Sequence, residues 1–522
     1  MAIPSPIVGV HLDLKYMISS KSYLLDWVRD LPGMGVNTLL IEYEDKFPYQ
    51  KYPFLQATGA FTPRELKLFL STARQAGLTV IPLIQTLSHL EFALGHPELA
   101  HLRETPDTPT QIDTSNPQAV AFVRDLIDEV LAYHQEDELF HLGADETWHL
   151  GHNERTAKVR EELGLLGMWT QHTNQFINHV KAAGKRAIVW DDIFWSVKPE
   201  EIAGCTLDRD VMLHCWSYGS GNNEKSLGNL SRRVSNYQQA GFATIAGPCL
   251  NWGVITPRHE HCLLNTHGWA ITANNLKMEG MINTAWSCFH TLPNTENLQI
   301  AAMGQMMRDP STIPSQQWQD EFMSNRLGCD ATGYAQAMID GTAFWELDCG
   351  LERPLTTILY GNMDMVLWYG SQDIRKKQGA YPFNFNDINF DELFRRKLAY
   401  FVRGNTDGKV VAQYATYIEP LTRATQTLRD IAARATRHVD EVEYMLWVAE
   451  MKLAHVQIMI DVLEGRAICS RKINHWARLG TRGFQIMQSV VEPYSIWQMI
   501  NILWKPLTTT FKMAPITRPT EA

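Results

Sequence analysis

An alternation of short apolar runs with helix-length amphipathic segments constrains this chain more than any other feature. Taken in order, strands are predicted over residues 7–13, 36–42, 78–83, 137–143, 186–190, 211–216, 242–246 and 280–285. Between them lie segments of helical period, among them 170–183, 230–240 and 263–274. One helix start is spelled out, with Thr62 as cap, Pro63 at the first position and Glu65 three residues after the cap. Eight strands, each followed by a helix, are what a (β/α)8 TIM barrel requires. The competing doubly wound sheet usually has fewer strands and a glycine-rich phosphate loop after the first, and no GxGxxG occurs here.

The fold class expected is therefore α/β, with a catalytic barrel over 1–335. At 522 residues the chain is too long for a barrel alone. From 342 to 404 it is aromatic and irregular, and then apolar residues recur at three- and four-residue spacing over 417–435, 439–465 and 471–491. A mainly α-helical C-terminal domain is expected over 336–510, packed on the barrel or on a second subunit of a homo-oligomer, with a frayed tail over 511–522. Within it Met445, Met451, Ile458 and Met459 read as core or interface.

A barrel of this kind carries its active site at the carboxyl ends of its strands, so polar and aromatic residues should gather there. The strand ends give Asp13, then Glu42, Tyr43 and Glu44, then Gln85 with His89, then His141, Asp145 and Glu146. Asp191 and Asp192, Trp216 with Tyr218, Asn251 with Trp252, and Trp286 complete the set. The most unusual stretch is Phe140-His141-Leu142-Gly143-Ala144-Asp145-Glu146, which leaves two carboxylates side by side at the mouth of a strand. Neighbouring side chains on a strand face opposite ways, so the two acids share a target only if the strand ends there, and Gly143 and Ala144 supply the bend. Trp190, Trp216 and Trp286 finish three strands, and indoles are suited to the apolar face of a sugar ring.

Composition narrows the partners. The formal charge of −10 disfavours nucleic acid and anionic membrane, which call for clustered Lys and Arg, and a neutral substrate fits better. Eight cysteines without a CxxC pair read as reduced thiols. The N-terminal residues lack the pattern of a secretory signal and no run stays apolar for about 18 residues, so a cytoplasmic location is expected. Metal and cofactor are expected to be absent.

The sequence His141-x-Gly143-x-Asp145-Glu146 resembles the acidic signature of the family 20 glycoside hydrolases, the β-N-acetylhexosaminidases. The resemblance is closest to the hexosaminidase D branch, through Val10-His11-Leu12-Asp13-Leu14-Lys15, Leu40-Ile41-Glu42-Tyr43-Glu44-Asp45, Val80-Ile81-Pro82-Leu83-Ile84-Gln85-Thr86 with His89, and Val189-Trp190-Asp191-Asp192. It covers roughly residues 5–310 and is far weaker over the C-terminal third. A retaining glycosidase ordinarily needs two carboxyl groups about 5–5.5 Å apart, but this family is a substrate-assisted exception. The substrate's 2-acetamido oxygen attacks the anomeric carbon and an oxazolinium ion forms. The resemblance implies a retaining exo-β-N-acetylhexosaminidase with a small carbohydrate substrate. Glu146 would be general acid and base, Asp145 would orient the acetamide, Tyr218 would hydrogen-bond it, and His89 would tune the pair. Trp190, Trp216 and Trp286 would wall the pocket, with Asp13, His141, Asp191 and Asn251 as further substrate contacts.

Departures from the family pattern leave the configuration of the sugar open. Ala144 stands where most relatives have glycine, no arginine follows the first strand, and Ser287 and Cys288 come after Trp286 in place of a Trp-Glu pair. The branch resemblance favours N-acetylgalactosaminides, with Asp13 as the candidate for the outer hydroxyls and N-acetylglucosaminides as a second substrate. Two alternatives are a metal-dependent barrel hydrolase built on His11, Asp13, His89, His141 and His214, and a sugar-binding protein without catalysis.

Overall fold

The computed structural model describes residues 6–15, 18–219, 224–252, 256–286, 293–342, 408–499, 504 and 508–509. The first strands and helices are β1 (Ile7–Asp13), α1 (Lys21–Asp30), β2 (Thr38–Glu42), α2 (Pro63–Gln75) and β3 (Thr79–Leu83). A short helix, α3 (Glu91–Leu94), and an antiparallel hairpin, β4 (Arg103–Thr105) with β5 (Thr108–Ile112), interrupt the alternation. It resumes with α4 (Pro117–Leu131), β6 (Leu139–His141), α5 (Glu154–Ala182), β7 (Arg186–Trp190) and α6 (Pro199–Gly204). Then come β8 (Met212–Trp216), α7 (Glu224–Gln239), β9 (Ala243–Gly247), β10 (Cys249–Trp252), α8 (His259–Leu276) and β11 (Gly280–Trp286).

The strands form a closed parallel barrel in the order β1, β2, β3, β6, β7, β8, β9, β11, and β1 closes it by pairing with both β2 and β11. Pro248, which has no N–H to give to a ladder, separates β9 from β10, and both halves pair with β11. The two-residue period of each strand sorts its side chains. One set, including Val10, Leu39, Ile41, Val80, Phe140 and Val189, packs with Leu24, Phe69, Phe122 and Phe176 from the surrounding helices. The other set fills the barrel with Ile7, Leu40, Ile81, Leu83, Leu139, Ile188, Trp190, Met212, Ile245 and Ile282. Gly9 belongs to this inner set, and a Cβ there would lie 2.8 Å from Ile282 Cγ1. Register places Asp13 beside Glu42, Glu42 beside Leu83 and Leu83 beside His141, so these strand ends share one layer at the barrel mouth.

The predicted fourth strand over 137–143 is shorter in the structure, because Gly143 adopts a left-handed φ of 62° and ends it early. The cap predicted at α2 is complete: Glu65 N donates to Thr62 Oγ1 at 3.2 Å and Thr62 N donates to Glu65 Oε2 at 2.8 Å.

Beyond the barrel run α9 (Asn297–Arg308), α10 (Gln316–Leu327), α11 (Tyr334–Thr342), α12 (Lys409–Thr416), α13 (Ile418–Ala432), α14 (Val439–Leu463), α15 (Ser470–Met487) and α16 (Pro493–Met499). Ile300, Met303 and Met306 of α9 pack into the barrel core, and the helices after it enclose a second core around Trp447, Ile458 and Trp476, in which Met445, Met451 and Met459 are also buried. That core draws in Met323 and Leu327 of α10 and Tyr334 at the start of α11, all upstream of residue 335, as well as Met338. It is joined to the barrel by hydrogen bonds. Trp27 Nε1 donates to Asn297 Oδ1 at 3.1 Å, Asn297 Nδ2 donates to Glu441 Oε1 at 2.8 Å, and Arg326 Nε meets both oxygens of the same carboxylate. The aromatic stretch from 343 to 404 and the tail over 511–522 lie outside the described residues. No helix among the described residues is long and apolar enough to cross a membrane, and the six described cysteines are free.

Candidate active site

Adjacent acids converge here because the backbone leaves the strand in a run of left-handed residues. Gly143, Ala144 and Glu146 have φ of 62°, 68° and 48°. Of the six described non-glycine residues with positive φ, four (Glu44, His89, Ala144 and Glu146) belong to the strand-end segments at this mouth. Such conformations cost free energy and persist only where the surroundings impose them. The result is that Asp145 Oδ2 and Glu146 Oε2 each lie 3.4 Å from His89 Nε2.

The surroundings that impose the bend are polar and specific. Gly143 N donates to His141 Nδ1 at 3.0 Å, so His141 carries its proton on Nε2 and gives it to His214 Nδ1 at 3.3 Å. His214 Nε2 in turn donates to Ile282 O at 3.3 Å. Burial depresses the pKa of both rings, that of His214 to about 3, which keeps this chain of rings neutral. Ala144 N donates to Gln85 Oε1 at 3.3 Å while Gln85 Nε2 donates to Glu42 Oε1 at 3.1 Å. Trp169 Nε1 holds Ala144 O at 2.9 Å, Ser88 Oγ donates to Asp145 O, and Asp192 Oδ2 accepts Glu146 N at 2.8 Å. The β4–β5 hairpin secures the loop beyond the acids. Gln111 Oε1 accepts His149 N at 3.1 Å, and Glu104 Oε1 accepts His152 N at 2.8 Å and Asn153 N at 3.2 Å.

Aromatic side chains rise beside the acids. Trp190 stacks on His214 with centroids 4.2 Å apart and lies 5.9 Å from Trp286, which contacts His11 at 4.8 Å. Trp216 packs on Tyr218 at 5.0 Å and on Trp195 at 4.4 Å, and Trp286 Nε1 donates to Tyr218 OH at 2.8 Å. Across the mouth Asp13 lies beside Glu42, and Asn251 hydrogen-bonds the buried carboxyl of Glu296, which also faces Asp13. Glu296 is not among the residues expected from the strand ends, because it lies ten residues beyond Trp286 and on no strand.

Two expected substrate contacts are placed differently. Asp191 comes after the inward Trp190 and therefore points outward, where it is fully buried. Its Oδ1 accepts Trp216 N at 3.1 Å, and its Oδ2 accepts Tyr237 OH at 3.1 Å and pairs with Arg233 Nε at 3.3 Å. Asp191 thus positions Trp216 from behind, and Asp192 is the member of the pair that reaches the acids. His141 lies inside the barrel, but both ring nitrogens are engaged, so it positions the bend.

Electrostatics divide the carboxyls into two groups. Burial works against the protonated His89, yet Asp145 and the hydrogen bonds to both acids hold its pKa well above the usual value. Burial also opposes ionisation of Glu146, and the bond and charge of His89 outweigh it, keeping Glu146 below the usual carboxylate range. Around them burial raises three more: Asp13 to about 7, Asp192 to about 8 with Asp145 adding to the effect, and Glu296 to about 8. Asp145 Oδ1 is buried and meets no hydrogen-bond partner among the described residues, and the same holds for Trp190 Nε1 and Trp216 Nε1.

Among the described residues no three His, Cys, Asp or Glu side chains converge as a ligand set. The histidines considered for such a set are occupied otherwise, His11 Nε2 with Glu42 Oε2 at 3.2 Å and His141 with His214.

A family model described as the catalytic domain of glycosyl hydrolase family 20 matches residues 41–243. Hexosaminidase D of Bos taurus is 31% identical over 291 residues, covering 53% of this chain and 83% of the relative. Hexosaminidase D of Homo sapiens is 31% identical over 290 residues, covering 53% of this chain and 59% of the relative. Among solved structures, a β-N-acetylhexosaminidase from Bacteroides fragilis shares 17% identity, with 62% of this chain and 70% of that one covered and a TM-score of 0.49.

Proposed function

Because the chain belongs to glycosyl hydrolase family 20, in the hexosaminidase D branch, and is a β-N-acetylhexosaminidase, we propose that it removes terminal β-linked N-acetylgalactosamine, and N-acetylglucosamine more slowly, by substrate-assisted catalysis. The observation that carries the mechanism is the buried Asp145 Oδ1, without a partner among the described residues, beside an Oδ2 already taken by His89. A buried carboxylate oxygen without a donor is costly, and the acetamide N–H of a bound substrate supplies that donor.

With the amide so held, its carbonyl oxygen attacks the anomeric carbon as the bond to the leaving oxygen breaks. Asp145 stabilises the positive charge that grows on the amide nitrogen, and Glu146 delivers a proton to the departing oxygen. His89, whose pKa is held up while it holds that of Glu146 down, is proposed to relay the proton through Glu146. Water then opens the oxazolinium ion with Glu146 as base, which gives net retention.

Tyr218 OH is proposed to hold the acetamide from the other side, with Trp190, Trp216 and Trp286 as walls. Their indole N–H groups, which on Trp190 and Trp216 meet no partner among the described residues, suit a sugar's oxygens. Asp13, Asn251 and Glu296 are proposed to bind the outer hydroxyls. Burial raises the pKa of Asp13 to about 7 and of Glu296 to about 8, and a carboxyl in its protonated form donates as well as accepts hydrogen bonds, which suits a hydroxyl pair whose configuration must be read. Hydrolysis of paired aryl N-acetylgalactosaminide and N-acetylglucosaminide by the wild type and Glu146→Gln tests this reading. Loss of both activities in the variant and a galacto preference in the wild type are expected. An unaffected variant would overturn the role of Glu146.

A further inference from the structure

Trp148 is the most exposed large apolar side chain described in this protein, at 71%, and it lies two residues from the proposed acid. Its backbone is held on both sides. Trp148 N donates to Glu146 O at 2.8 Å, a three-residue turn, while Glu146 N is fixed by Asp192 and His149 N by Gln111. Leu150, buried at 1%, anchors the next residue but one. The loop therefore carries an indole in open solvent on a backbone that has been given little freedom to withdraw it.

The acids differ in the same direction. The Asp145 side chain is 9% exposed and that of Glu146 38%, so Glu146 forms the solvent side of the pair. A group that protonates the leaving oxygen has the leaving group beyond it, on its open side. Resting on the proposed function, we infer that Trp148 is a stacking platform for the leaving group, and that this leaving group is a pyranose ring, as at the end of a glycan chain. An indole offers a broad flat face to the C–H face of a sugar, and a pinned backbone limits the ordering cost on binding.

The test compares kcat/KM for a β-linked disaccharide, with N-acetylhexosamine at its non-reducing end, against the methyl β-glycoside of the same N-acetylhexosamine, which has no ring beyond the scissile oxygen. Trp148→Ala is expected to lower the disaccharide value roughly tenfold relative to the methyl glycoside value, and Trp148→Phe to restore most of that loss. Inhibition by a thiazoline analogue of the cyclised sugar, which lacks a leaving group, reports the inner pocket of each variant separately. Equal effects of Trp148→Ala on both glycosides, or no effect on either, would overturn the platform while leaving the function intact. If the wild type hydrolyses neither glycoside, the proposed function falls and the platform with it.

Discussion

Asp192 Oδ2 accepts the backbone N–H of Glu146 at 2.8 Å, so the end of one barrel strand fixes the left-handed residue that closes its neighbour. The carboxyl that does this is itself raised to about 8, first by burial and then by the nearby Asp145. A carboxyl that binds its proton more tightly when folded costs stability as pH rises from its unfolded pKa, near 4, to its folded one near 8. Asp192→Asn keeps an oxygen for Glu146 N and removes that loss. Its melting temperature is expected to match the wild type near pH 4 and to pull ahead as pH approaches 8. The gap should widen by at most about 1.4 kcal/mol per pH unit.

His89 should govern the alkaline side of the pH–rate profile. Its raised pKa means that its charge, and the interactions that charge makes, are present below the usual histidine range and are lost as pH climbs through the raised value. In His89→Gln the relayed proton must rest on Glu146, and the alkaline limb of kcat/KM is expected to move toward the carboxylate range. A fall in rate of about 10²- to 10³-fold should accompany it. An unmoved alkaline limb would show that His89 does not hold the proton.

Gly143 and Ala144 should respond differently to exchange. A Cβ on Gly143 would stand 1.9 Å from Gln85 Oε1, at a φ of 62°. Gly143→Ala is expected to lose roughly 2 kcal/mol of stability or more, with most of the activity. Ala144→Gly relieves a φ of 68° but frees the unfolded chain, and these terms of about 1 kcal/mol each should nearly cancel. Chemical denaturation with parallel activity assays checks both.

Glu104 should matter for the loop beyond the acids. Its carboxylate is 1% exposed and accepts from His152 N, Asn153 N and Asn153 Nδ2 as well as Thr156 Oγ1. Glu104→Ala leaves those donors without partners and is expected to cost about 2–4 kcal/mol. Faster amide hydrogen exchange of residues 152–156 would locate the effect.

Much of this arrangement was legible in the sequence because a strand's period is simple. The inward series His11 and Asp13, His141, Trp190, and His214 and Trp216 comes from counting by two, as does the crowding of function at one end. The same count separates Asp191 from Asp192, although the dipeptide alone suggests one shared role. The β4–β5 hairpin was not legible, since Pro106 and Pro109 break its runs into pieces too short to show alternation. Nor was Glu296, which reaches Asn251 only through the path of the chain after β11.

Catalysis of the proposed kind requires that the substrate's own amide oxygen be the nucleophile. Fluorine placed stepwise on the acetamido methyl makes that oxygen a poorer nucleophile and leaves the leaving group unchanged. Measured on aryl glycosides with zero to three fluorines, kcat/KM is expected to fall steeply with each substitution. A flat series would contradict substrate assistance and would require a nucleophile supplied by the protein or by water.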